Sequence, residues 1–346
     1  MNSNIKESLF QRRLQDKTAQ CLTCERQCLI KNGQLGYCQT RKNIDGNIHT
    51  IVYGKIPAIS LNPIEKKPFF HFYPGSKAIT VGTYGCNLNC FWCQNHHLSH
   101  PLKPIKELVE STNYISPNDL IEIALRKHAR GTSISFNEPT LLFEYSLDVF
   151  KKAKKHGLYN TYVSNGYMTE KILKTLIEAG LDAINIDIKG DSEMVKKYCG
   201  VNVEKIWRNA LIVKEFGVHL EITTLLIENY NTSKEVVKNI AERIKTELGS
   251  DTPLHLTRFF PHYRSSEYGI ETATPLESLY QAHKVATDVG LKYVYLGNIT
   301  SIKYETTYCP SCGNKAIERE GFLIRKTGVD KNGKCKICGF KILNYF

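Results

Sequence analysis

No stretch of this 346-residue chain approaches the roughly 18 consecutive apolar residues a membrane-spanning helix needs, which excludes an integral membrane protein built on helices. Met1 to Gln15 is polar and lacks an apolar core, so the sequence predicts no secretory signal and a cytoplasmic location. Disordered and collagen-like compositions are also missing: 42% of residues are hydrophobic and 23% charged, as in ordinary globular chains. Methionine is scarce, at 3 residues, while cysteine, at 12, is abundant. In a reducing compartment clustered thiols hold metal more often than they form disulfides. The length predicts about two domains, or one large α/β barrel with small attachments. The net charge of +12 favours acidic partners, whether nucleic acid, an acidic protein surface or anionic cofactors, without choosing among them. The run Lys151, Lys152, Lys154 and Lys155 reads as the solvated face of a helix.

Eleven of the cysteines form three groups: Cys21, Cys24, Cys28 and Cys38; Cys86, Cys90 and Cys93; and Cys309, Cys312, Cys335 and Cys338. Cys199 stands alone and reads as a small packing residue. Between the second and third groups, short runs rich in β-branched and aromatic residues predict strands at 78–83, 133–136, 161–164, 183–188, 219–226, 254–260 and 293–296. Helical stretches separate them. Ser116–Pro117 supplies a helix start, and Gly157, Gly180, Gly217 and Gly290 supply stops. In the helix after Thr169, Ile172, Leu173, Leu176 and Ile177 form one apolar face. Such alternation predicts parallel βαβ units and an α/β fold, an incomplete (β/α)6-type TIM-like barrel. Polar clusters at the strands' C-terminal ends mark the expected site: the Cys86 loop, Asn137–Glu138–Pro139, Ser164–Asn165–Gly166, and Asp187 with Lys189.

The segment from Gly85 to Cys93 carries a C-x3-C-x2-C spacing. Structural zinc sites usually take four ligands in two pairs. Three thiolates with no fourth nearby fit a cubane [4Fe–4S] cluster better, since the fourth iron then stays open. A zinc ion borrowing His96, His97 or His100 is the alternative. The triad, with Trp92 before its last cysteine, resembles the radical S-adenosylmethionine (SAM) superfamily. Asn62–Pro68, His71–Ser76 and Cys93–Gln94–Asn95 resemble the AmmeMemoRadiSam-type radical SAM enzymes, relatives of pyruvate formate-lyase activating enzyme. The likeness runs from about Cys21 to Cys338.

The resemblance implies a mechanism: SAM chelates the open iron, one electron from the reduced cluster cleaves it to methionine and a 5′-deoxyadenosyl radical, and that radical takes a hydrogen atom from substrate. Asn137 and Glu138 are candidates for the SAM ammonium, Ser164 and Asn165 for its ribose. Asp187 and Lys189 share a face and suit the carboxylate and ribose, or form a plain internal ion pair. Thr223, Arg258 and His262 are candidate substrate-side residues. The family also implies an electron donor such as flavodoxin or ferredoxin, and glycyl-radical activation of a protein as one activity.

The C-terminal cysteines, in two C-x2-C-Gly knuckles, predict a zinc ribbon. The segment 306–346 holds eight Lys/Arg against three Asp/Glu, yet reads better as a structural cap than as a nucleic-acid arm. The N-terminal four, spaced C-x2-C-x3-C-x9-C, fit zinc or a second iron–sulfur cluster, and the reading leans to zinc. The expected division is 1–60, an N-terminal four-cysteine module; 61–300, the partial barrel; and 301–346, the ribbon. The leading function is a radical SAM oxidoreductase acting on a macromolecule. Alternatives are radical modification of RNA, or a non-enzymatic zinc-dependent interaction module.

Overall fold

The structure, a computed structural model, describes residues 5–346. Six short N-terminal strands come first: β1 (Lys6–Glu7), β2 (Gln11–Arg13), β3 (Ala19–Cys21), β4 (Leu29–Ile30), β5 (Arg41–Ile44) and β6 (Asn47–Thr50). They form two small sheets, ordered β1-β6-β5 and β2-β3-β4. The central sheet follows, with β7 (Ala58–Pro63), β8 (Lys77–Gly82), β9 (Gly131–Ile134), β10 (Tyr159–Ser164), β11 (Ala183–Asp187), β12 (His219–Leu226), β13 (Leu254–Arg258) and β14 (Val294–Gly297). Its order is sequential, from β14 back to β7. Strands β8 to β14 are parallel, and β7 runs antiparallel to β8. This is an α/β fold on a mostly parallel sheet whose terminal strands do not pair with each other.

The sequence explains the regularity. Every residue of β9 is buried, as is nearly all of β10 and β11, the pattern of strands covered on both faces. Helix 117–126 opens on a capping box, in which Ser116 and Asp119 satisfy each other's backbone N–H groups. Helix 170–178 buries Ile172, Leu173 and Leu176, and Ile177 is half-buried against the same core. It stops at Gly180, whose φ of 108° an L side chain would resist. Lys151, Lys154 and Lys155 face solvent on helix 143–155.

Strand β7 has no counterpart among the strands expected from sequence. It is a half-exposed edge ending in Pro63, a residue tolerated there because no neighbour needs its missing N–H. It also begins at Ala58, inside the segment expected to belong to the N-terminal module. That module is tied down by Arg41, 2% exposed, whose guanidinium donates to Glu144 Oε1 at 2.8 Å and to Ser8 Oγ at 3.2 Å.

The C-terminal segment forms an antiparallel sheet of β15 (Thr307–Tyr308), β16 (Lys315–Glu320) and β17 (Leu323–Thr327). Its core continues into the central sheet through Phe70, Tyr293 and Tyr295. Buried Arg319 donates to the Phe70 carbonyl at 2.6 Å and to Thr307 Oγ1 at 2.8 Å. The backbone N–H groups of Phe70 and His71 donate to Glu221, near the start of β12, at 3.0 and 2.8 Å. The conspicuous His71–Ser76 motif therefore lies at the N-terminal ends of the strands, the pole opposite the cysteine triad.

Candidate active site at the cysteine triad

Strand β8 leads directly into the triad loop. Asn137, from the loop after β9, fastens it: Oδ1 accepts from Thr83 N at 3.1 Å and Nδ2 donates to the Gly85 carbonyl at 2.7 Å. The aromatics between the cysteines rivet the loop to the fold. Phe91 and Trp92 are buried, and Phe91 stacks on Tyr268 with centroids 3.9 Å apart. The three thiols line a cavity of about 250 Å³, together with Asn137, Glu138, Ser164, Asn165, Asp187, Lys189 and Thr223. The loops after β8, β9, β10 and β11 meet there with residues of β12 and β13, because the parallel sheet points all its C-terminal ends one way.

Arg258 and His262 do not line this cavity. Arg258 is turned away, its Nε donating to the Thr274 carbonyl at 2.7 Å, while its neighbour Thr257 faces in. One residue of strand alternation separates the expected contact from the observed one.

Several inward residues are committed to each other. The Glu138 carboxylate, 3% exposed, accepts from Thr140 N at 3.0 Å, Thr140 Oγ1 at 2.5 Å, Ser164 Oγ at 2.8 Å and Asn165 N at 2.9 Å. Burial raises its pKa although these donors oppose the rise. Asn165 is held by its own contacts, Nδ2 to Asn87 Oδ1 at 2.8 Å and Oδ1 from Tyr167 N at 3.0 Å. Glu138, Asn137, Ser164 and Asn165 thus brace the triad loop against the ends of β9 and β10.

Asp187 and Lys189 differ. They pair at 2.6 Å, but Asp187 Oδ1 is buried without a partner, as is Thr223 Oγ1 beside it. Burial pulls the Lys189 pKa down, yet the adjoining Asp187 carboxylate holds it up, so the ammonium stays charged. A ligand bearing N–H or O–H groups would satisfy the two orphaned oxygens. The thiols of Cys86 and Cys93 are held protonated chiefly by burial, and that of Cys90 first by its hydrogen bond with Cys199. Metal loading therefore has to release their protons.

The triad and its histidine neighbours do not converge on a point, as a single ion would need. Among the described residues, one group of three or more His, Cys, Asp or Glu has all its ligand atoms within 4.8 Å of one another: Cys309, Cys312, Cys335 and Cys338. A triad spread around a cavity with unpartnered acceptors fits a multi-iron cluster with an aminoacyl ligand. The four N-terminal cysteines line a separate small cavity with Arg41 and Asn87. Lys67 escaped notice in the sequence as part of a longer motif. It is 5% exposed, with its ammonium 4.6 Å from the centroid of cavity-lining Phe136, and burial lowers its pKa to about 7.

The family model of the radical SAM superfamily matches residues 80–244, the stretch that carries the triad and the strand ends just described. An uncharacterized protein of Methanocaldococcus jannaschii is 38% identical over 339 residues, covering 98% of this chain and 99% of that protein. The chain belongs to the radical SAM superfamily. Another protein of that organism, assigned as a glycyl-radical enzyme activating enzyme, is 30% identical over 169 residues, 47% of this chain and 61% of its own length. A GTP 3′,8-cyclase assigned in Pyrobaculum aerophilum is 25% identical over 201 residues, 56% of this chain and 61% of its own. A radical SAM methyltransferase from Sphaerobacter thermophilus shares the fold, with a TM-score of 0.50 at 12% identity, covering 65% of this chain and 67% of that one. No helix among the described residues is long and apolar enough to cross a membrane.

Proposed function

We propose that this radical SAM protein holds a [4Fe–4S] cluster on Cys86, Cys90 and Cys93 and acts on a macromolecule, as a glycyl-radical activating enzyme does. The observation that carries the reading is that the three triad thiols and the orphaned oxygens of Asp187 and Thr223 line one cavity. Held by Cys86, Cys90 and Cys93, a reduced cluster would supply the one electron for reductive cleavage of SAM and so the radical chemistry that abstracts hydrogen from substrate. The chain's own part is to orient and shield. Asp187 and Lys189 offer paired charges to the amino-acid end of SAM, and Thr223 offers an acceptor to a hydroxyl. Asn137, Glu138, Ser164 and Asn165 act as positioning residues that hold the loop and the strand ends in register. Leu88, Trp92 and Phe136 keep water from the cavity floor.

A large partner suits the outer part of the site. A groove of about 570 Å³, lined by Asp191, Glu228, Tyr198, Tyr230 and Tyr268, adjoins the cluster loop through the Phe91–Tyr268 stack. The unpaired terminal strands support an incomplete barrel with a lateral opening. We assign the C-terminal four cysteines to zinc, since Zn–S bonds of about 2.3 Å in a tetrahedron place sulfurs about 3.8 Å apart. Two of those pairs lie at 3.5 and 3.7 Å. The ribbon so formed caps the N-terminal pole, leaving three modules divided near residues 57 and 300, and a flavodoxin- or ferredoxin-like protein supplies the electron. The GTP 3′,8-cyclase relative supports a second reading, a nucleotide as substrate.

The test is 5′-deoxyadenosine formation by anaerobically reconstituted protein with dithionite, alone and with the host's protein, RNA and small-molecule fractions. Stimulation by the protein fraction, with deuterium from a labelled polypeptide entering 5′-deoxyadenosine, is the expected result. Stimulation by small molecules alone would refute the macromolecular reading and favour the nucleotide, and label leaving RNA would favour RNA modification.

A further inference from the structure

Cys21, Cys24, Cys28 and Cys38 line one pocket with Arg41, Asn87 and Leu141. A single zinc ion would need its sulfurs about 3.8 Å apart. The C-terminal cysteines satisfy that demand, all lying within 4.8 Å of one another. No three of the N-terminal four do so, and neither do Cys86, Cys90 and Cys93. Neither group closes to the spacing that the C-terminal four present to a single ion.

The lining carries a second sign. Asn87 Nδ2 and Arg41 Nε are buried N–H donors without acceptors, on residues no more than 2% exposed. Leaving such donors unmade is costly, whereas the sulfides and thiolates of an iron–sulfur cluster accept N–H groups and are tuned by them. Free space between the thiols is about 10 Å³, room for about one water. Zinc would have to draw the sulfurs together, and a cluster would have to part the lining. The sulfurs are the ligand atoms, so their separation is the better guide to what they bind.

The pocket lies directly behind the triad loop. Asn87 follows Cys86 in the chain, and Arg26, between Cys24 and Cys28, donates to the Asn87 carbonyl. Gly85, at φ 86°, packs so closely that a Cβ would sit 2.4 Å from the carbonyl oxygen of Cys38. Leu29, the neighbour of Cys28, is exposed.

We infer that Cys21, Cys24, Cys28 and Cys38 hold a second iron–sulfur cluster that relays electrons to the triad. The relay rests on the radical SAM reading; the metal assignment does not. One electron enters from a low-potential one-electron donor, which is oxidised by one electron, and leaves towards the triad, with no bond made or broken at the N-terminal site.

The experiment is metal and sulfide analysis, with Mössbauer and EPR spectra, of the full chain reconstituted anaerobically. The variant Cys86→Ala/Cys90→Ala/Cys93→Ala should keep about four irons and about four sulfides, with about one zinc per chain. Adding Cys24→Ser and Cys28→Ser should remove that iron. Should the last variant not fold, the wild type still decides: two reduced clusters are expected, of which SAM perturbs one. No iron and about two zincs in the triple variant, or a wild type with one cluster wholly perturbed by SAM, would overturn the inference. Iron retained by the triple variant while SAM perturbs nothing in the wild type would instead uphold the second cluster and overturn the radical SAM reading.

Discussion

The Cys90 thiol donates to the sulfur of Cys199 at 3.4 Å, and both residues are buried. In the sequence Cys199 reads as a packing residue; in the fold it touches the middle cysteine of the triad. A disulfide needs the sulfurs to close to about 2.05 Å, a movement of little more than an ångström. We therefore predict that air oxidises the metal-free chain to a Cys90–Cys199 cross-link that blocks cluster assembly until reduced. Peptide mass spectrometry should find the cross-linked pair in wild type, and Cys199→Ala should take up iron after air exposure without added thiol. Equal iron uptake by the two oxidised proteins would contradict this.

Glu138 and Asp187 should separate into a brace and a contact. Glu138→Ala leaves four donors without an acceptor, a loss of about 2–4 kcal/mol that should lower the thermal midpoint and weaken SAM binding together. Asp187→Asn keeps the packing but removes the negative charge, and should weaken SAM binding about tenfold with a smaller stability loss. Calorimetric SAM titration and thermal unfolding of both variants check the split. Normal SAM affinity in Asp187→Asn would remove that residue from the binding site.

Lys67 is held by burial, with a smaller contribution from Lys66, at a pKa of about 7 against an ordinary 10.5. Between those values the unfolded chain carries a proton that the folded chain has released, so stability rises with pH across the window. The cost of burying the charge is fully present below about pH 7 and amounts to a few kcal/mol. Lys67→Met should therefore stabilise the fold by about 1–3 kcal/mol near pH 6 and by clearly less near pH 10. Urea unfolding at the two pH values checks it. A gain independent of pH would place the ammonium in contact with water.

Much of this molecule was legible before folding. The parallel strands announce themselves as short β-branched runs closed by Gly, Pro or Asn, and strand-end polar residues then had to share one face of the sheet. Thr223 was found that way. Arg258 was not, because its neighbour Thr257 has the inward register and an isolated strand end gives no sign of which parity wins. The motif from Asn62 to Ser76 divides: Phe70 and His71 anchor Glu221 and the C-terminal sheet at the opposite pole, while the Lys67 ammonium reaches cavity-lining Phe136. Proximity in sequence to the triad carries no information about which end of a strand a segment reaches. The Cys90–Cys199 contact and the placing of Asn87 against the N-terminal cysteine pocket were equally hidden, since both depend on long-range packing.

Everything proposed for this site requires Cys86, Cys90 and Cys93 together to hold the cluster at which SAM is cleaved. The direct measurement is 5′-deoxyadenosine and methionine formed from SAM by the anaerobically reconstituted full chain with excess dithionite, wild type against the Cys86→Ala/Cys90→Ala/Cys93→Ala variant. Both products are expected in equal amounts from the wild type and none above background from the variant, with about four fewer irons per chain. Undiminished 5′-deoxyadenosine from the variant would contradict it.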